Sequence, residues 1–247
     1  MSETTKILFC PDVHAPYHDR AAFDCFLRVA RGWRPDGCVI AGDFADFCEV
    51  SSHPKDPKRR VPFAAEVAGV NDALDALDAA LGRRCWGVYL QGNHETRLER
   101  FVADKAPVLH GVVKSWDELL RLQRRGWEVV PYKESLQIGE LRMTHDVGRA
   151  GVNAARASLL DTGANILFGH THRLIVHYQG QLYGNPHVGI TSGWLGDPLA
   201  IDYRHRDSVC RDSIHGFTTV HMLKNGTFWA QAVPIINGQA VVDGKVY

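Results

Sequence analysis

A chain of 247 residues with 45% hydrophobic content carries enough apolar mass for a full core. Lys plus Arg equals Asp plus Glu, at 28 each, so the chain is not a general polyanion binder, although a local basic patch stays open. The six cysteines, Cys10, Cys25, Cys38, Cys48, Cys85 and Cys210, show no C-x-x-C spacing and several sit in apolar runs, so small buried free thiols in a reducing compartment are expected.

The strand-like stretch Lys6 to Cys10 comes almost at once, which leaves no room for a signal peptide. No apolar run is long enough to span a membrane, and the expected location is cytoplasmic. The first strand runs into Pro11-Asp12-Val13-His14. In extended chain, residues two apart face the same way, so Asp12 and His14 can grip one ion. Phe23, Phe26, Leu27 and Ala30 then follow helical spacing up to Gly32. A second buried strand, Cys38 to Ala41, ends in Gly42-Asp43-Phe44-Ala45-Asp46. Strand, helix, strand implies a right-handed crossover and a parallel pair.

The run from His53 to Arg60 is a basic, proline-broken loop, read either as solvated surface or as a phosphate-contacting rim. Val67, Val70, Leu74, Leu77 and Leu81 form the stripe of an amphipathic helix closed by Gly82. Trp86 to Gln91 is a buried strand turning at Gly92 into Asn93-His94-Glu95. Thr96 to Asp104 reads as helix, with Arg97 and Arg100 in its first turns. Ser115-Trp116-Asp117-Glu118 is a capping-box pattern that predicts one helix up to Gly126. Three short strands are expected at 128–130, 135–138 and 141–144, the last ending in His145-Asp146. A helix is predicted over 150–160, and Asn165 to Phe168 is a fifth buried strand ending in Gly169-His170-Thr171-His172-Arg173. Asn225-Gly226 between two strand-like runs predicts a hairpin, and Asn237-Gly238 and Asp243-Gly244 punctuate two further short strands.

Five apolar strands therefore end in metal-capable side chains: Asp12 with His14, Asp43, Asn93 with His94, His145, and His170 with His172. A single histidine near an apolar run is ordinarily structural, but five coincident strand ends converging on one rim of a sheet are not. Carboxylate, amide oxygen and imidazole together suit Mn, Fe, Zn or a related ion. The set exceeds one tetrahedral zinc and fits two ions sharing a carboxylate.

In order, Asp-x-His, Gly-Asp-x-x-Asp, Gly-Asn-His-Glu, a late His and Gly-His-Thr-His resemble the calcineurin-like dinuclear metallophosphoesterases, from Asp12 to His172. The short length, the His-Pro-Lys-Asp-Pro stretch and residues 169–173 resemble the small phage and prokaryotic type. The resemblance implies an α/β fold of one domain over 1–247. It would be a four-layer αββα sandwich of two mixed β-sheets with the metal site at the strand C-terminal ends. It implies one metal on Asp12, His14, Asp43 and His172 and a second on Asp43, Asn93, His145 and His170. Mn2+ is expected, with Fe, Zn or Ni as alternatives. The resemblance further implies that a water between them would attack phosphorus in line and that His94 would stabilise the developing charge or protonate the leaving oxygen. Asp46 is expected either behind the ligating or catalytic imidazoles or as a plain capping aspartate.

Phe47 stands where protein phosphatases of that family carry arginine, which argues against phosphoprotein substrates. Asp146 follows the late histidine where glycine is frequent, and either supports the site or faces solvent. Arg97, Arg173, His205 and Arg206 are the candidate substrate contacts, with an ordinary surface role as the alternative for each. The expected function is hydrolysis of phosphodiesters of nucleotides or nucleic acids. The alternatives are a phosphomonoesterase on a small metabolite or nucleotide, and a non-catalytic scaffold of the same fold. No membrane partner is expected, and the sequence leaves the oligomeric state open.

Overall fold

The computed structural model describes residues 4–53, 55, 61–200 and 212–247. β1 (Thr5–Cys10) is followed by α1 (Arg20–Trp33) and β2 (Gly37–Ile40). α2 (Phe63–Leu81), β3 (Trp86–Leu90), α3 (Thr96–Lys105), α4 (Trp116–Leu119), α5 (Leu122–Arg125) and β4 (Trp127–Val130) complete the first half. β5 (Leu136–Ile138), β6 (Leu141–Thr144), α6 (Ala154–Thr162), β7 (Asn165–Phe168), β8 (Leu174–Gln179) and β9 (His187–Ser192) follow. The chain closes with β10 (Gly216–Met222), β11 (Phe228–Pro234), β12 (Val241–Val242) and β13 (Lys245–Val246).

The strands form two mixed sheets and a terminal hairpin. The first sheet has the order β11-β10-β1-β2-β3-β4, with β1 to β4 parallel and β10 antiparallel to β1. The second has the order β5-β6-β7-β9-β8, with β6, β7 and β9 parallel. Alternation along each strand assigns the layers. Ile7 and Phe9 of β1 and Val39 of β2 pack between the sheets against Leu141, Met143, Leu167 and Ile190. Leu8 and Cys10 point the other way, into a core with α1 and α2. α6 covers the outer face of the second sheet, where Ala154 meets Ile166 and Phe168. The result is the four-layer αββα arrangement.

Local chemistry accounts for most element boundaries. Asp19 caps α1 by accepting from the Ala22 N–H at 2.8 Å. α1 runs through Gly32 and stops only at Arg34, whose φ of 54° is left-handed, because Trp33 is itself a core residue. The capping box at Ser115 is present, but the helix it opens breaks at Arg121, also left-handed at φ 57°, into α4 and α5. α6 begins at Ala154, later than the predicted start at 150. The hairpin at Asn225-Gly226 pairs β10 with β11 over seven residues. β8 and β9 have no counterpart among the sequence-based expectations. No helix of the described residues is long and apolar enough to cross a membrane. The cysteines at 10, 25, 38, 48 and 85 are free thiols, and Cys210 lies outside the described residues.

Candidate metal centre

Both sheets deliver the C-terminal ends of their parallel strands to one edge. Asp12 and His14 follow β1, Asp43 follows β2, Asn93 and His94 follow β3, His145 follows β6, and His170 and His172 follow β7. The expectation of one rim on one sheet is corrected: the rim is the seam between two facing sheets. Three groups of side chains bring ligand atoms within 4.8 Å of one another: Asp12, His14 and His172; His14, Asp43 and His94; and Asp43, His145 and His170. Asn93 joins the last group, with its Oδ1 2.9 Å from His145 Nε2 and 2.9 Å from His170 Nδ1. Asp43, Asn93, His94, Arg97, His170 and His172 line one cavity of about 220 Å³ at this edge.

The backbone is bent to make this approach. His14, Asp43, His170 and His172 all hold left-handed conformations, at φ 54°, 48°, 63° and 57°. Each costs on the order of 1–3 kcal/mol in a non-glycine residue, so the surrounding contacts must over-determine it. Two motif glycines are dictated by close approach. A Cβ at Gly92 would stand 2.2 Å from Asp43 Oδ1, and one at Gly169 would stand 2.3 Å from Asp12 Oδ1. The freed space lets the carboxylates accept backbone N–H groups from neighbouring strand ends, within a sheet and across the seam. His170 N–H donates to Asp12 at 2.9 Å, and His94 N–H donates to Asp43 Oδ1 at 2.9 Å.

Buried partners fix the rings. His145 Nδ1 lies 2.8 Å from the Ala41 carbonyl and His14 Nδ1 lies 3.1 Å from Asp46 Oδ1, which turns both Nε2 atoms into the centre. A metal-ligating imidazole ordinarily anchors its second nitrogen in this way. The carboxylate, amide and imidazole donors with anchored rings fit a divalent cation. His94 Nδ1 also donates to Asp46, at 2.7 Å from Oδ1. The guanidinium of Arg97 can only donate, and it sits 2.8 Å from His94 Nε2 and 2.7 Å from the Asp46 carbonyl. His94 is therefore neutral here, with its proton on Nδ1.

Charge follows the same layout. Burial raises the Asp43 carboxyl, but His145 and His94 outweigh it and hold it well below the usual carboxylate range. Burial lowers His145, yet Asp43 takes it up to about 10. Burial takes His172 down to about 4 against the pull of Asp12. Burial also lowers His94 despite Asp43, and Arg97 adds to the shift.

Glu95 and Trp194 complete the surroundings. The buried Glu95 carboxylate accepts from Asp43 N at 3.0 Å, Ala45 N at 3.1 Å, Gly92 N at 2.8 Å and the Tyr89 hydroxyl at 2.7 Å. It ties the loop after β2 to the loop after β3. Trp194 follows β9 and stacks on His172, with ring centroids 4.6 Å apart and planes 12° apart. Sequence reasoning missed Trp194 because it missed β9; the signal was Gly193-Trp194 closing the run Val188-Gly189-Ile190-Thr191-Ser192. Arg173 does not line the cavity and pairs with Asp212 at 3.1 Å. Asp146 accepts from the Tyr132 hydroxyl at 3.1 Å and from Gly148 N. Phe47 is fully buried against Phe63. His205 and Arg206 lie outside the described residues, as does most of the basic loop, Pro54 and 56–60.

No protein-family model matches the chain. It is 23% identical over 256 residues to the Gene 54 protein of Mycobacterium phage L5, covering 98% of both chains. Solved structures with a similar course include vacuolar protein sorting 29 from Cryptosporidium parvum, at 12% identity, TM-score 0.47, and 99% and 95% coverage of this chain and that one. YfcE, a phosphoesterase from E. coli, has 14% identity, TM-score 0.40, and 92% and 98% coverage. The Pseudomonas putida nuclease MPE has 14% identity, TM-score 0.36, and 91% and 87% coverage.

Proposed function

We propose that this chain is a divalent-metal-dependent phosphoesterase acting on phosphodiesters of the nucleotide or nucleic-acid class, with two Mn2+ ions as the expected cofactor. The observation that carries the reading is the convergence of three Asp/His groups on one cavity that also holds the Arg97 guanidinium. Asp12, His14, Asp43 and His172 would hold one ion and Asp43, Asn93, His145 and His170 the other, with Asp43 shared. Two such cations supply Lewis acidity toward phosphoryl oxygens and lower the pKa of water.

The chain's own residues do the rest. Glu95 fixes Asp43 through the loop that carries it. Asp46 orients His14 and His94 together. Arg97 presents N–H groups at the cavity, suited to the charge that develops on phosphoryl oxygens. In the arrangement seen, His94 cannot donate from Nε2, because that atom accepts from Arg97. Proton transfer to a leaving oxygen requires Arg97 to leave Nε2 for the phosphate and Nε2 then to take up a proton from solvent.

The test is the purified, metal-reconstituted chain on bis-p-nitrophenyl phosphate, p-nitrophenyl phosphate, cyclic nucleotides and short DNA. The diester should turn over faster than the monoester. The reverse order makes the protein a monoesterase, and full metal occupancy with no turnover leaves a scaffold. Asp43→Asn should cost more activity than His172→Ala, since it touches both ions. His94→Ala should lose roughly 10²–10⁴-fold in turnover if it is a general acid, and less for p-nitrophenolate than for an alkoxide. A uniform loss instead assigns the Arg97–His94 pair to charge stabilisation.

A further inference from the structure

A second groove, of about 170 Å³, opens beside the candidate metal centre. One wall is residues 50–53. The other is α3, through Arg97, Arg100, Phe101, Asp104 and Lys105. These positions are spaced i, i+3, i+4, i+7 and i+8, which is one face of a helix. The core takes a different face, through Leu98. The groove face carries three cations, one carboxylate and one aromatic ring. Phe101 is 39% exposed, and among the described residues neither Arg100 nor Lys105 is held in an ion pair. The groove and the metal-centre cavity share His53, Asn93 and Arg97, so a ligand chain can pass from one into the other.

We propose that this groove is a nucleotide subsite for single-stranded nucleic acid. The proposal rests on the phosphoesterase reading for the position of the scissile phosphate at the metal centre. From there the adjoining base stacks on Phe101, and the next phosphate is held by Arg100, with Lys105 farther along the helix. α3 rises roughly 12 Å from Arg97 to Lys105, so the face tracks a strand rather than a single ester. A ring beside a cationic track is the combination that binds single strands without reading sequence, because every base has a stacking face. In a duplex those faces are already occupied. The balanced composition of the chain does not oppose this, since the basic side chains are gathered locally.

The experiment is fluorescence anisotropy of a 5′-fluorescein-labelled hexathymidylate with the full chain in EDTA, where nothing is cleaved. Phe101→Ala should weaken binding roughly 5- to 150-fold, the worth of one stacked base, and Phe101→Trp should restore it. Arg100→Ala should reduce the slope of log Kd against log salt by about 0.7, one single-strand phosphate contact. Both positions are exposed and alanine favours helix, and unchanged circular dichroism midpoints will show that the fold is kept. With metal, the ratio of kcat/KM for the p-nitrophenyl ester of thymidine 5′-phosphate to that for bis-p-nitrophenyl phosphate should fall in Phe101→Ala. Wild-type affinity in both alanine variants overturns the subsite, as does equal affinity for a blunt duplex. If the chain binds hexathymidylate with these dependences but cleaves no phosphoester, the subsite stands and the phosphoesterase reading falls. If it cleaves bis-p-nitrophenyl phosphate and the variants bind like wild type, the reverse holds.

Discussion

Replacing Glu95 with glutamine tests whether one buried carboxylate holds the metal-centre loops together. The side chain is fully buried and receives four donors, three backbone N–H groups and the Tyr89 hydroxyl. Oε1 takes Ala45 N and Tyr89, while Oε2 takes Asp43 N and Gly92 N. Glutamine keeps one acceptor oxygen and presents an NH2 to the other pair of donors. With that NH2 at the Oε1 position the Tyr89 hydroxyl turns to accept, so one hydrogen bond to a charged group, worth roughly 1.5–3 kcal/mol, is lost outright and the other three lose their charge assistance, roughly 1 kcal/mol each; Glu95→Gln should cost about 3 kcal/mol or more. For a chain of this size that lowers the melting temperature by roughly 6–12 °C. The loops carrying Asp43 and Asn93 should loosen together, so metal content after desalting should fall as well. The assay is thermal unfolding by circular dichroism, paired with elemental analysis of the reconstituted protein. A variant with the wild-type midpoint and metal content would refute the clamp.

Gly169→Ala should expel Asp12 from its position, since the added Cβ would meet Oδ1 at 2.3 Å; elemental analysis should show about one metal fewer, and wild-type content would disprove the close approach. Burial raises the Glu66 carboxyl to about 7 from its ordinary 4.5, so it favours the fold below pH 4.5 and that stability is lost as pH rises to about 7. The difference is on the order of 3 kcal/mol, and Glu66→Gln should therefore gain on wild type in melting temperature between pH 5 and pH 8; a constant gap would sink this account. Divalent metal at a hundredfold excess over its Kd should raise the melting temperature by roughly 5–10 °C, reversibly with EDTA, whereas an identical midpoint with and without metal would remove the cation from the centre.

The parts of the fold that could be read from sequence were those with local causes. Short apolar runs ending in Gly-Asp, Gly-Asn and Gly-His marked three strands and their loops, and Asn225-Gly226 marked a hairpin. What stayed hidden depends on distant partners. β8 is half-exposed along Leu174 to Gln179, so its apolar signal is diluted, and it is held by β9 across the loop 180–186. The break at Arg121 opposes an unbroken helical stripe of leucines, yet Leu120 and Leu122 on its two sides are both fully buried. The ligand-type residues were legible because strand ends are local. Their support was not: the Trp194 stack on His172 exists only once β7 and β9 are paired, and the Arg97 contact to His94 only once α3 has formed behind the loop after β3.

The position of β10 sets the order in which this protein can mature. β1 pairs with β2 early in the chain, but its other edge is covered only by β10, with Thr5 opposite Met222. A nascent chain thus carries an open strand edge until synthesis has passed residue 222. Pairing across so long a separation is slow, and an uncovered edge of this kind invites aggregation meanwhile. Asp12 and His14 hang from the end of that same strand. A cation bound at these residues would therefore be captured at the last stage of folding, and a message truncated just before β10 yields a chain with all seven candidate ligands and no finished place to hold them.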